Sequence, residues 1–145
     1  MLSPSYCSLA AIVFVLVSSP LYGQQPPSTC QNMPYEHHNQ VDYTLRVSSV
    51  VGVAKDVQGF EVKGACVGIF TENGQKLLAA KETSVDGRFE IEGLPNGRYK
   101  LVVTTRVLCA ANAAIILKNK SRRGKSLVAV MKPSGIDAYS WIELK

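Results

Sequence analysis

Apolar and polar residues alternate with a period of two along most of this chain, and the clearest case lies between Asp86 and Val103. Phe89 and Ile91 point to one side of an extended segment while Arg88, Glu90 and Glu92 point to the other, which is the signature of a half-buried strand. Asp86-Gly87 precedes that segment and Leu94-Pro95-Asn96-Gly97 follows it. Both are turn sequences, with Pro95 and Asn96 suited to central turn positions and Gly87 and Gly97 to left-handed backbone. After the second turn Tyr99, Leu101 and Val103 resume the alternation, so the two strands are expected to form an antiparallel hairpin sharing one buried face.

The same period appears elsewhere. Leu45, Val47, Val51 and Val53 predict one first strand that ends at the Asp56–Gly59 turn. Ala65, Val67 and Ile69 alternate with Gly64, Cys66 and Gly68 in a strand over 62–71, whose outer glycines allow another backbone to come close. A turn at Glu72–Gln75 leads to a charged edge strand over 76–84. Segments 113–118, 125–131 and 139–144 supply the last strands. No sustained 3.6-residue apolar period follows the N-terminal region. Many short strands with regular turns predict an all-β, antiparallel sandwich of seven to eight strands.

Composition and charge then divide the 145 residues. The uncharged apolar run Leu9–Val17 is too short to span a bilayer, since a spanning helix needs roughly 20 residues, and it reads as a signal-peptide core with processing after Gly23. Residues 1–23 are therefore a signal peptide, 24–43 an irregular N-terminal arm and 44–145 the sandwich domain. The expected location is extracytoplasmic, periplasmic or secreted, with no membrane span after cleavage. A net charge of +5 in an exported chain points away from nucleic acid. Cys7 leaves with the signal, and Cys30, Cys66 and Cys109 remain, enough for one bridge and one spare thiol. Cys109, at a strand end, is expected to be bridged. Cys66 is the favoured partner, but it belongs on the outer face of its strand, and Cys30 competes with it.

Four segments together resemble a known family: Val51-Gly52-Val53, Val62-Lys63-Gly64-Ala65-Cys66-Val67, Ser84-Val85-Asp86-Gly87-Arg88-Phe89 and Leu94-Pro95-Asn96-Gly97-Arg98-Tyr99. Their order is similar to the G-x-V, P-x-x-G-A-x-V, D-x-D-G-x-F and L-P-x-G-x-Y sequence of the carboxypeptidase regulatory-like domain family, over about residues 47–107. Glu61-Val62 stands where that family often has proline. The resemblance implies a transthyretin-like, or prealbumin-like, sandwich grouped with carbohydrate-binding-like folds. It implies no peptidase: His37 and His38 lack the H-x-x-E spacing of a zinc carboxypeptidase, and H-E-x-x-H is absent. The transthyretin-like hydrolases of purine breakdown end in Tyr-Arg-Gly-Ser, whereas this chain ends Trp141-Ile142-Glu143-Leu144-Lys145.

Three regions remain as candidate sites. Adjacent His37 and His38 in an extended arm point to opposite sides, so neither a metal nor another cofactor is expected there. Lys118, Lys120, Arg122, Arg123 and Lys125 crowd one loop, which is either a solvated, association-blocking tip or a docking patch for an anionic polysaccharide, lipid headgroup or protein. Phe70, Tyr139 and Trp141 could offer rings to a sugar, though aromatics more often close a core. No nucleophile, base and orienter set can be assembled. The expected function is thus a non-catalytic binding or structural module with carbohydrate the leading ligand, an adaptor for an envelope or secreted enzyme second, and a small hydrolase a distant third.

Overall fold

The computed structural model describes Cys30, Met33 and residues 43–120, 124–135 and 139–145. The expected signal peptide, most of the arm with His37 and His38, and Arg122 and Arg123 lie outside these residues. The described residues contain nine strands and no helix: β1 (Thr44–Val47), β2 (Val50–Asp56), β3 (Cys66–Thr71), β4 (Leu77–Glu82), β5 (Arg88–Ile91), β6 (Gly97–Thr104), β7 (Ala111–Leu117), β8 (Leu127–Met131) and β9 (Trp141–Leu144). They form a five-stranded sheet ordered β1-β7-β6-β3-β4 and a four-stranded sheet ordered β5-β2-β8-β9. The inner faces enclose one core in which Ile69, Leu101, Ile115, Leu127, Met131 and Ile142 are fully buried. This is the all-β sandwich that the alternation and turns predict, and it is transthyretin-like, as the family resemblance implies.

Three details differ from expectation. The first expected strand is two strands, because the chain passes from one sheet to the other at Ser48-Ser49. Side-chain parity flips at that crossing. Val47 faces the core before it, Val50, Gly52 and Ala54 face the core after it, and Val51 and Val53 turn outward. The sheets are also mixed, since β1 runs parallel to β7 and β2 parallel to β8. Parallel pairing follows because β1–β2 and β7–β8 make the same inter-sheet crossing side by side. Finally, β5 and β6 do not form a hairpin: β5 pairs with β2, and β6 with β3 and β7. The left-handed residue in their connection is Gly93 (φ 76°), while Gly97 is the first residue of β6. Gly87 does take the left-handed backbone expected of it (φ 69°).

The bridge joins Cys30 to Cys66, with Cα atoms 5.6 Å apart, and Cys109 is free. This overturns both expected pairings of Cys109. Cys66 stands on the outer face of β3, as its parity requires, and Cys30 reaches that face from the arm. Met33 follows onto the same face and packs with buried Phe70 and Val102. Gly68 leaves the necessary space, because a Cβ there would sit 2.6 Å from Met33 Sδ. Cys109 lies in the β6–β7 connection at the same end of the sandwich, where Cys66 pairs with Thr104, but its thiol is directed to Pro133 O (3.8 Å). Its amide donates to Lys132 O (2.8 Å), and its carbonyl accepts from the Ser140 hydroxyl (2.8 Å).

Edge strand β9 is capped by a side chain. The Tyr43 hydroxyl donates to Ile142 O (2.7 Å) and accepts from Ile142 N (3.2 Å), occupying the outward backbone groups that another strand would need.

The bridge closes a loop across a sequence separation of 36 residues. Cys30→Ser is expected to cost about 3 kcal/mol, by limiting the unfolded chain less, while Cys109→Ser stays within about 0.5 kcal/mol of wild type. Urea midpoints under oxidising conditions measure both, and a large loss for Cys109→Ser with none for Cys30→Ser would reverse the assignment.

Candidate functional site

Three of the inter-sheet crossings meet at one end of the sandwich. Parallel β1 and β7 end there at Val47 and Leu117, β2 and β8 begin there, and β5 passes into β6 there through 92–96. The described residues at the two ends of the basic segment, 118–120 and 124–125, are exposed but tied to neighbouring elements. The segment's first root is held by the Lys118 amide, which donates to Val47 O (2.9 Å), and by Asn119. The Asn119 amide donates to Asn96 Oδ1 (2.7 Å) and its side-chain nitrogen donates to Leu94 O (3.2 Å). The second root is held by paired backbone bonds between Ser126 and Lys145 (2.8 and 2.9 Å).

Between these roots lies a cleft of about 380 Å³, bounded by Arg46, Val47, Ser48, Ile116, Lys118, Lys120, Gly124 and Lys125. That volume lies within the range of small-molecule sites. Arg46 enters because it points outward from β1 and pairs in register with Ile116 of β7. Ile116, on the outer face of β7, supplies an apolar wall, while Val47 borders the cleft with its side chain turned into the core. The four charged residues are all cations, and among the described residues none of them forms an ion pair. Confinement of like charges in a partly walled space concentrates a positive potential.

Ser48 is the unusual member. Its hydroxyl is buried and, among the described residues, has no hydrogen-bond partner. An unmet buried hydroxyl costs about 1–3 kcal/mol. Gly124 lies against it so closely that a Cβ on Gly124 would overlap Ser48 Oγ and lie 3.3 Å from Ser48 Cβ.

A larger cleft of about 630 Å³ lies over β2 and β5. There Lys55, Lys81 and Arg88 are balanced by Glu61, Glu82, Asp86 and Glu90, so that cleft favours neither sign of charge. Among the described residues no three His, Cys, Asp or Glu side chains are placed to hold a metal ion.

The expected site residues thus fall in three places. Lys118, Lys120 and Lys125 gather at the cleft, joined by Arg46 and Ser48, which sequence reasoning missed. Arg46 lies 70 residues before Ile116 and comes beside it only through the parallel pairing. The aromatic trio is not one platform. Phe70 is 3% exposed beneath Met33 on the outer face of the larger sheet, which corrects its expected role as a ligand contact. Trp141 (37% exposed) begins β9 of the other sheet, and Tyr139 (63% exposed) lies just before it. The Lys132 ammonium stands 5.6 Å from the Trp141 ring centre, and the indole N–H donates to Glu143 (3.3 Å). Lys145 hydrogen-bonds the same carboxylate, and these two contacts, Lys145 first, hold the Glu143 pKa below its ordinary value.

No described protein family and no curated protein matches the sequence. Among solved structures the chain is similar to a 5-hydroxyisourate hydrolase of Klebsiella pneumoniae, at 19% identity over 68% of this chain and 99% of that one, with a TM-score of 0.49. The fold rests on the sheet topology above, and that likeness transfers no activity. The expected function is corrected: the non-catalytic reading, drawn from the lack of a nucleophile, base and orienter set, has no binding module among these matches, and the solved structure found is by name a hydrolase. The carbohydrate reading had rested on a family that no match shows and on an aromatic platform that the structure divides. The adaptor reading likewise gains no relative.

Gly124→Ala is expected to destabilise the protein by about 1–3 kcal/mol through overpacking against Ser48. A double-mutant cycle with Ser48→Gly, followed by urea denaturation, should show that Gly124→Ala costs less in the Ser48→Gly background. Equal costs in both backgrounds would mean that the two residues are not coupled.

Proposed function

We propose that this protein binds a small anionic ligand in the cleft between the ends of β1 and β7 and the 118–125 segment. The observation that carries this reading is the meeting of Arg46, Lys118, Lys120 and Lys125 around an apolar wall, with no carboxylate among the cleft residues. Cations usually scatter among acids on a protein surface, and a cluster fixed at both roots keeps its mutual repulsion until an anion relieves it. Arg46 offers the planar donor fork suited to carboxylate, phosphate or sulfate, and the lysines add mobile point charges. Arg122 and Arg123 belong to the same segment in sequence and would add to its charge.

The setting of this activity is outside the cytoplasm. The Cys30–Cys66 bridge supports that placement, since such bonds persist in oxidising compartments. The apolar run over 9–17 supports export as the route. Among the described residues no helix is long and apolar enough to cross a membrane. The turn motifs keep their resemblance to carboxypeptidase regulatory-like domains as a proposed relationship, and they lie mostly outside the cleft.

Isothermal titration with small mono- and dianions at low and moderate salt tests the reading. Binding is expected to weaken as ionic strength rises, because exposed charges are screened over about 8–10 Å. The pair of changes Arg46→Ala and Lys125→Ala should weaken it at least tenfold, equivalent to about 1.4 kcal/mol. Lys76→Ala, in the β3–β4 turn, is the charge-matched control for each of the two changes made singly. Equal losses from Lys76→Ala and from the cleft variants would show a diffuse charge effect and defeat the site.

A further inference from the structure

On the basis of that anion-binding reading, we infer that the ligand is a phosphate monoester, with its dianionic head among Arg46, Lys118, Lys120 and Lys125, its organic part against Ile116, and Ser48 Oγ donating to a phosphoryl oxygen. Two features select this chemistry. Four cations around one small cleft exceed what a single carboxylate or sulfate ester, each carrying one charge, would neutralise. A phosphate monoester carries close to two charges at neutral pH and three strong acceptor oxygens. The second feature is the Ser48 hydroxyl, a donor at the cleft wall that is buried without a partner among the described residues. A tetrahedral head can accept from it while other oxygens face the cations.

Gly124 lies directly against Ser48 and carries no side chain, so it adds no side-chain atoms beside the hydroxyl. The hydrogen bond formed with a ligand oxygen offsets the cost of the unmet donor in the free protein. Ser48 is accordingly a residue whose loss leaves the fold unharmed while weakening the ligand's hold, the stability–function trade-off expected of a binding residue.

The test is calorimetric titration of the full chain with phenyl phosphate and phenyl sulfate, at pH 7.5 and pH 5. Phenyl phosphate is expected to bind at least tenfold more tightly than phenyl sulfate at pH 7.5. That advantage should shrink severalfold at pH 5, because the monoester regains a proton near its second pKa of about 6. Phenyl sulfate does not titrate in this range, so its affinity at the two pH values reports any change in the protein itself. Ser48→Ala should weaken phenyl phosphate at least fivefold while leaving the melting temperature equal or higher. Vesicles containing phosphatidic acid separate two sources of the same head group. Sedimentation with them that is competed by phenyl phosphate assigns the monoester to a lipid, and binding of phenyl phosphate alone assigns it to a soluble molecule.

Equal affinity for phosphate and sulfate at both pH values would overturn the monoester and leave the general anion site standing. No binding of either would remove both. Unchanged phenyl phosphate affinity in Ser48→Ala would overturn the role of the hydroxyl.

Discussion

The structure depends on burying one apolar layer between two sheets. Every strand must then keep one parity of side chains inward, and a chain passing from one sheet to the other has to reset that parity in the connection. Ser48-Ser49 does so in two residues, turning Val47 inward on one sheet and Val50 inward on the other. The crossing brings Arg46 and Ser48 to the end of the sandwich where β7 also leaves its sheet. The cleft is a by-product of that constraint. Two parallel crossings lie side by side, and the longer one carries three of the four cations.

This arrangement explains why the site is built rather than merely charged. A basic loop at the tip of a hairpin would disperse its charge into solvent. Here Asn119 ties one root to Asn96 and Leu94, and Ser126 ties the other to Lys145 at the chain's end. Arg46 is fixed by strand register. Among the described residues the hydroxyl of Ser48 is held without a partner, whereas buried Thr83 shows how such a group is ordinarily met: its Oγ1 accepts from Ala65 N and donates to Val62 O.

How much of this was readable in sequence depended on range. Local signals held: Phe89, Tyr99, Leu101 and Val103 are core by alternation, Gly87 takes left-handed backbone, and β4 is an edge strand. Non-local pairing was not encoded in periodicity. Phe89 and Tyr99 face the same core from opposite sheets, and alternation alone cannot distinguish that from a hairpin. The continuous parity of Leu45, Val47, Val51 and Val53 concealed a crossing because Gly52 and Ala54 are the small inward residues there. Disulfide choice failed for a related reason. The outward parity of Cys66 was read correctly, and what covers that face was decided by an arm with no periodic signal. Lys118, Lys120 and Lys125 were visible as a charge cluster, while Arg46 and Ser48 joined them only through tertiary pairing.

Amide chemical-shift mapping during a titration with inorganic phosphate tests the central claim most directly. An anion site at this end of the sandwich gives saturable shifts concentrated at 46–48, 116–120 and 124–126. Shifts spread over all exposed lysines, or gathered at the larger cleft over β2 and β5, would contradict it.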